Sequence, residues 1–132
     1  MTVKELIRKA RELRLENVEI LDRYSEDEIC GVYNGIGSDR FPEVLRNFLD
    51  MLHPTLRLAA MIHDLEYHEG GTRKQFTESN KRFYRNGKTA AFARYSWYDP
   101  RRYLVWNKAR QFSNLCQLFG WSSWTKPEGV AE

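Results

Sequence analysis

His63 and Asp64 are adjacent within the otherwise apolar segment Leu56 to Tyr67, LRLAAMIHDLEY. Burying unpaired polar or charged groups is costly, so the pair should face a cleft, hold a metal or find partners in neighbouring segments. On a helix, His63 and Tyr67 share a face, whereas Asp64 is turned about a quarter of the way round. One residue can then act as a general base while the other binds a cation, which suits metal-assisted hydrolysis.

A glycine-rich segment, Cys30 to Arg40, precedes this pair and reads CGVYNGIGSDR. Three glycines among polar residues predict a tight, specifically shaped loop rather than a regular element. Hard cations such as Ca²⁺ take carboxylate and backbone carbonyl oxygens, and such a loop exposes its carbonyls well. The backbone from Tyr33 to Gly37 is therefore a candidate source of calcium ligands.

Hydrophobic spacing predicts helices around these two segments. We expect helices over 2–16, capped by Thr2, and over about 41–52, ending at His53-Pro54. Ser25 and Glu28 form a possible capping box that opens a short turn. A further helix should begin at Pro54, carry the His-Asp pair and stop at Gly70-Gly71.

Two more helices are predicted in the second half of the chain. One runs from about 73 to 86 with Gly87 as its cap, and its inward face combines Phe76, Asn80 and Phe83. The other starts at Asp99-Pro100, ends at Gly120, and has as its buried stripe Val105, Ala109, Phe112, Cys116 and Phe119. Trp121 and Trp124 should either pack on the core or stand exposed as interfacial anchors. The sequence thus predicts one mostly α-helical domain over 1–132, with at most a short β-hairpin near 88–98.

Composition limits the partners. No segment reaches the roughly 18 apolar residues of a membrane span, and the amphipathic N-terminus is unlike a secretory signal, so we expect a chain that starts out soluble in the cytoplasm. Residues 1–67 carry 9 Lys/Arg and 13 Asp/Glu, a balance of −4, whereas residues 68–132 carry 12 and 5, a balance of +7. The basic, aromatic second half suits an anionic membrane surface or nucleic-acid phosphates. Two cysteines, Cys30 and Cys116, argue against a disulfide framework.

The segments Tyr33-Asn34-Gly35-Ile36-Gly37 and His63-Asp64-Leu65-Glu66-Tyr67 resemble the Y-x-G-x-G calcium loop and the H-D-x-x-Y active-site helix of the phospholipase A2 superfamily, including its disulfide-poor parvoviral and bacterial or phage-borne members. An antiparallel helix that carries an inward polar residue follows in both. The resemblance spans roughly residues 30–86.

This resemblance implies calcium-dependent hydrolysis of the sn-2 ester of glycerophospholipids at a membrane surface, without an acyl-enzyme. His63 would take a proton from the attacking water. Calcium would be held by the Asp64 carboxylate and by the main-chain carbonyls of Tyr33, Gly35 and Gly37, with the Gly35 N–H helping to hold the oxyanion. Tyr67 would support the hydrogen-bond network between the two helices.

The sequence departs from the family at Asn80, because the family usually has an aspartate there to hold the histidine. The alternative hypothesis is therefore a non-enzymatic, phage-type structural or interaction protein on the same scaffold. Under either hypothesis, release from the cell or association with a virion could follow synthesis in the cytoplasm. Two further alternatives are less favoured. One is a zinc site that joins His53 and His68 to His63, and the other is a nucleic-acid surface, for which no recognition-helix signature is present.

Overall fold

The computed structural model of the protein describes residues 2–33 and 52–127, which form five α-helices and three short 3₁₀ helices. No β-strand occurs within these two ranges, so the mostly α-helical class is confirmed. The predicted helix over 41–52 lies almost entirely outside the described residues. None of the described helices is long and apolar enough to cross a bilayer.

Helix α1 (Val3–Glu12) begins at the predicted cap, where the Thr2 side chain accepts a hydrogen bond from the Glu5 N–H. Its buried face is Leu6 and Ala10. The helix ends four residues earlier than predicted, because Arg14 and Asn17 have φ of 53° and 60°, in the left-handed region. A 3₁₀ helix (Val18–Arg23) follows.

Helix α2 (Glu26–Tyr33) is opened by the predicted capping box. The Ser25 N–H donates to the Glu28 carboxylate at 2.9 Å, and the Glu28 N–H donates to the Ser25 hydroxyl at 3.1 Å. The expectation of a loop from Cys30 onward is wrong for residues 30–33, which are helical. One exposed glycine, Gly31, costs a helix only about 1 kcal/mol, and burial of Ile29 in the core offsets that cost.

Helix α3 (Arg57–Glu69) is the centre of the fold and follows a 3₁₀ turn (Pro54–Leu56). Every residue from Leu58 to Tyr67 is buried, since α1, α2 and α4 all pack around it. Gly70 ends the helix, as predicted, with a φ of 70°. A Cβ at that position would overlap the carbonyl of Thr125, so both conformation and space require glycine there.

Helix α4 (Arg73–Arg94) begins at a capping box between Thr72 and Gln75 and is antiparallel to α3 across the short connection. The prediction that Gly87 caps this helix is wrong, because the helix continues for seven residues beyond it. Gly87 instead marks a close approach to the next helix, where an added Cβ would come within 2.7 Å of the Ala109 methyl group. Residues 88–94 are therefore helical and do not form a hairpin.

Helix α5 (Pro100–Phe119) starts as predicted, with the Asp99 side chain accepting from the Arg101 N–H at 3.0 Å. Four of its five predicted core residues are buried. The prediction that Phe119 is buried is wrong, because this residue is 46% exposed. The chain turns at Gly120 into a 3₁₀ helix (Gly120–Ser123), and the buried ring at this end is that of Trp124, 5.1 Å from the Tyr67 ring. Trp121 is partly buried against Phe76, and both cysteines are free thiols.

Candidate active site

His63 and Asn80 join the two central helices. Asn80 on α4 points inward, as predicted, and its Oδ1 lies 2.9 Å from Nε2 of His63 on α3. The hydroxyl of Tyr67, one turn after His63, donates to the same Oδ1 at 2.8 Å. One amide oxygen thus holds both polar residues that share a face of α3.

The rest of the Asn80 side chain is also engaged. Its Nδ2 donates to Oε1 of Gln117 at 2.8 Å, and Nε2 of Gln117 donates to the Thr77 hydroxyl at 3.0 Å. The Ser113 hydroxyl donates to the Asn80 carbonyl at 2.7 Å. With Oδ1 of Asn80 toward His63 and Tyr67 and Nδ2 toward Gln117, all three neighbours have a hydrogen-bond partner.

This orientation determines the histidine tautomer. A carbonyl oxygen only accepts hydrogen bonds, so the His63 proton lies on Nε2 and the lone pair is on Nδ1. A neutral imidazole held in this way can take a proton at one defined atom. That is the first requirement of a general base.

The surroundings of His63 are aromatic and dry. Its ring centroid lies 4.4 Å from that of Tyr67, 5.2 Å from that of Phe83 and 6.0 Å from that of Phe112. The residue is 2% exposed. Burial lowers the pKa of His63 to about 4, and the hydrogen bond to Asn80 opposes this shift only in part. His63 is therefore uncharged at neutral pH.

Asp64 is buried on the flank of the same helix, and its Oδ2 has no hydrogen-bond partner among the described residues. Burial raises the pKa of this carboxyl well above its usual range. Its charge acts on nearby groups: it contributes, after burial, to the raised pKa of the Tyr33 hydroxyl and of the Cys116 thiol. A buried carboxyl oxygen without a partner is costly, and a bound cation would remove that cost.

The residues predicted to hold calcium can be compared with this geometry in part. Tyr33 is the last residue of α2, and its side chain lies close enough to Asp64 for the carboxylate to influence its pKa. Gly35 and Gly37 lie outside the described residues, so their predicted ligand and oxyanion roles stay predictions. Within 2–33 and 52–127, no group of three or more His, Cys, Asp or Glu side chains could hold a metal ion. Among the described residues Asp64 is the one predicted side-chain ligand, so the mixed set of a carboxylate and backbone carbonyls stays a prediction.

Glu66 forms a second polar centre, which the sequence reasoning missed. It is 6% exposed and accepts hydrogen bonds from Asn17 at 2.7 Å, Ser79 at 2.7 Å and Arg82 at 2.6 Å. Burial raises the pKa of this carboxyl, and these three partners counteract the shift in part. A signal was present in the sequence, because Glu66 is three residues after His63 and so belongs to the same buried turn of α3.

Gln117 and Ser113 were also missed. They are four residues apart on α5 and immediately follow Cys116 and Phe112, two members of its buried stripe. Polar residues that recur at helical spacing beside an apolar stripe indicate contacts with a neighbouring helix. Here that neighbour is α4, through Asn80.

Comparison of the chain with models of protein families, with curated proteins and with solved structures finds no match.

Proposed function

We propose that the protein is a calcium-dependent hydrolase of the sn-2 ester of glycerophospholipids, of the phospholipase A2 type. The observation that carries the proposal is the shared Asn80 oxygen. It directs the lone pair of His63 to Nδ1 and ties Tyr67 into the same bond network, while the buried, unpartnered Asp64 lies at the next residue. A base and a cation ligand are thus adjacent on one helix turn.

In the proposed reaction, water attacks the sn-2 carbonyl carbon while its proton moves to Nδ1 of His63. The tetrahedral intermediate then collapses, the bond to the glycerol oxygen breaks, and His63 returns the proton to that leaving oxygen. The products are a fatty acid and a lysophospholipid. Calcium, when bound, would polarise the ester carbonyl and offset the charge of the lipid phosphate.

Asn80 and Tyr67 have positioning roles in this proposal. Asn80 holds the imidazole in one tautomer and one orientation, which a base needs in order to reach a bound water. Because Asn80 has no charge, it gives little support to the imidazolium that forms in the transition state. We therefore expect slower turnover than an aspartate at this position would allow.

The experiment uses vesicles of a phospholipid whose sn-1 and sn-2 chains differ in mass. With calcium, the protein should release the sn-2 fatty acid alone, and excess chelator should stop the release. Asp64→Asn should abolish the calcium-dependent rate, whereas Asp22→Asn, at an exposed carboxylate paired with Arg11, should leave it unchanged. Release from both positions, or release that persists in chelator, contradicts the proposal.

A second candidate is a non-enzymatic structural or interaction protein, of phage type, on the same scaffold. It is favoured by the burial of His63 and Asp64, 2% and 8% exposed, and by the neutral amide of Asn80 as the hydrogen-bond partner of His63. In this case the polar residues serve to lock α3 against α4. Calorimetry separates the two candidates, because calcium binding that Asp64→Asn removes is expected of the hydrolase and not of the scaffold.

A further inference from the structure

Cations gather at the end of the helical bundle where α4 gives way to α5. His53 lies at this end, with its Nε2 3.3 Å from the Tyr95 hydroxyl. Its pKa is lowered first by burial and then by three positive side chains, Lys108, Arg94 and Arg101. Arg94 and Arg101 also lie over the Tyr95 ring, 5.6 Å and 4.8 Å from its centroid.

Most of the cations at this end have no ion pair. Arg101 pairs with Asp99 at 2.7 Å. Arg94 and Lys108, and Arg57, which lines the same cleft as Arg94, have no ion pair with a carboxylate in the described part of the chain. Unpaired cations that lie close together repel one another and raise the local positive potential. An anionic partner would relieve this repulsion.

Large apolar side chains are exposed beside these cations. Trp97 is 73% exposed, Tyr98 72% and Leu104 56%. The Trp97 and Tyr98 rings pack edge to face, with their centroids 5.7 Å apart. The Tyr103 hydroxyl donates a hydrogen bond to the Trp97 carbonyl at 2.6 Å, which fixes the connection between α4 and α5. Trp and Tyr are the residues that proteins place at the level of lipid headgroups.

A cleft of about 380 Å³ opens between α1, the start of α3 and α4. Its floor is apolar, with Leu13, Leu58 and Ala90, and its rim carries the positive charges of Lys9, Arg57 and Arg94. Arg94 belongs both to this rim and to the group around His53. An apolar floor below a cationic rim fits an amphiphile with an anionic head.

We propose that this end of the molecule is the surface that docks on an anionic phospholipid bilayer. We define the docking face by the cations Arg57, Arg94, Arg101 and Lys108 and by the exposed side chains Trp97, Tyr98 and Leu104. The rings and the leucine enter the headgroup layer, and the cations contact lipid phosphates. The inference gives the proposed hydrolase its membrane surface and in that respect rests on the proposed function.

The cations would suit any polyanion, and the apolar side chains beside them favour a bilayer over nucleic acid. A nucleic-acid surface interleaves cations with rings on which bases stack, whereas here the exposed side chains include an aliphatic residue and the cleft floor is aliphatic.

The test measures binding separately from hydrolysis. Full-length protein is centrifuged in chelator with vesicles of phosphatidylcholine alone or with added phosphatidylglycerol. We expect stronger binding to the anionic vesicles, and salt should weaken this binding. The affinity for anionic vesicles should fall by about tenfold in Trp97→Ala. It should fall by about fivefold in each of Arg94→Gln and Lys108→Gln, because each variant removes one cation. The matched controls, Leu118→Ala at 74% exposure and Lys74→Gln at an exposed site on α4, should bind as the wild type does.

Several outcomes overturn the docking face: equal binding to both vesicle types, binding unchanged in all three variants, or tighter binding to nucleic acid that the same variants abolish. In separate reactions that contain calcium, hydrolysis is measured on the same vesicles and on a short-chain phospholipid dispersed as monomers. Activity on monomers with unchanged vesicle binding in the variants refutes the docking face alone. Specific vesicle binding with no hydrolysis of either substrate refutes the proposed hydrolase and leaves the docking face standing.

Discussion

Oδ1 of Asn80 lies 2.9 Å from Nε2 of His63, and this contact holds the imidazole without placing a charge opposite it. Asn80→Asp would add that charge. Gln117 can accommodate the change by turning its amide to donate to the new carboxylate, since its present partners, Asn80 and Thr77, lie on either side. We predict that the pKa of His63 rises and that sn-2 hydrolysis accelerates about tenfold or more.

Measurement of the His63 ring resonances by NMR against pH, together with hydrolysis rates, tests this prediction. Asn80→Leu is the companion variant, in which the His63 and Tyr67 donors lose their acceptor and the fold should be destabilised. A rate that does not change although the pKa of His63 rises would argue against His63 as the base.

Tyr67→Phe removes one of the two hydrogen bonds that Asn80 Oδ1 accepts. We predict a loss of about 1 kcal/mol in the free energy of unfolding, measured by urea denaturation, with the His63 tautomer unchanged. Tyr24→Phe is the matched control, because the Tyr24 hydroxyl bonds to Glu69 at the exposed surface. An equal loss of unfolding free energy in both variants would mean that the buried hydrogen bond stabilises the fold no more than the exposed one.

Asp64→Asn should have opposite effects with and without calcium. Burial raises the pKa of the Asp64 carboxyl, so at pH 7 this group reduces the stability of the metal-free fold, and the asparagine variant should be the more stable. Calcium at about a hundred times its dissociation constant should stabilise the wild type by roughly 3 kcal/mol and leave the variant unaffected. Thermal melts in chelator and in calcium measure both effects, and a calcium-dependent shift in the variant would exclude Asp64 as a ligand.

The titration of His63 should make stability depend on pH. Its folded pKa of about 4 lies below the ordinary value of 6.5, so the unfolded chain binds the additional proton between these values. Stability from this residue is complete above pH 6.5 and is lost as the pH falls toward 4, by roughly 3 kcal/mol. Asp64 acts in the opposite direction, because its raised pKa reduces stability as the pH rises above 3.8.

The Asp64→Asn background removes that opposing effect. Urea denaturation at pH 7 and at pH 4 should therefore give a steeper dependence in Asp64→Asn than in the Asp64→Asn, His63→Gln double variant. Other titrating groups cancel in this comparison, so identical slopes would show that His63 is not buried as described.

Gly87→Ala should destabilise the protein even though alanine is the better helix former. The added methyl group would come within 2.7 Å of Ala109 Cβ and 3.1 Å of Leu56 Cδ2, and overpacking of this kind costs about 1–3 kcal/mol. Gly31→Ala in α2 is the control, because nothing lies within 4 Å of its new Cβ, and it should stabilise by about 0.5–1 kcal/mol. Urea denaturation of both variants checks the sign of each change.

The sequence predicted those parts of the fold that local signals specify. The caps at Thr2 and Asp99, the stop at Gly70 and the inward direction of Asn80 each depend on a few neighbouring residues. Gly87 and Phe119 were wrong because their environment is set by other elements: α5 approaches Gly87, and Trp124 is the buried ring at the end where Phe119 was expected. Spacing along one helix does not carry that information.

The candidate site shows the same division. The adjacency of His63, Asp64 and Tyr67 could be read from the sequence, and so could the polar residue on the next helix. For Gln117, Ser113 and Glu66 the sequence indicates a position near a helix contact but not the partner. Their partners depend on how α5 and the segment after α1 pack against α4 and α3.

In the proposed hydrolase, His63 is the base of a calcium-dependent ester hydrolysis. The most direct measurement compares sn-2 fatty-acid release by the wild type and by His63→Gln in saturating calcium, with circular dichroism showing that the variant is folded. Glutamine can still donate a hydrogen bond to Asn80, so the network should survive while the base is lost. The proposal predicts a rate at least about a hundredfold lower in the variant, and equal rates in the two proteins would contradict it.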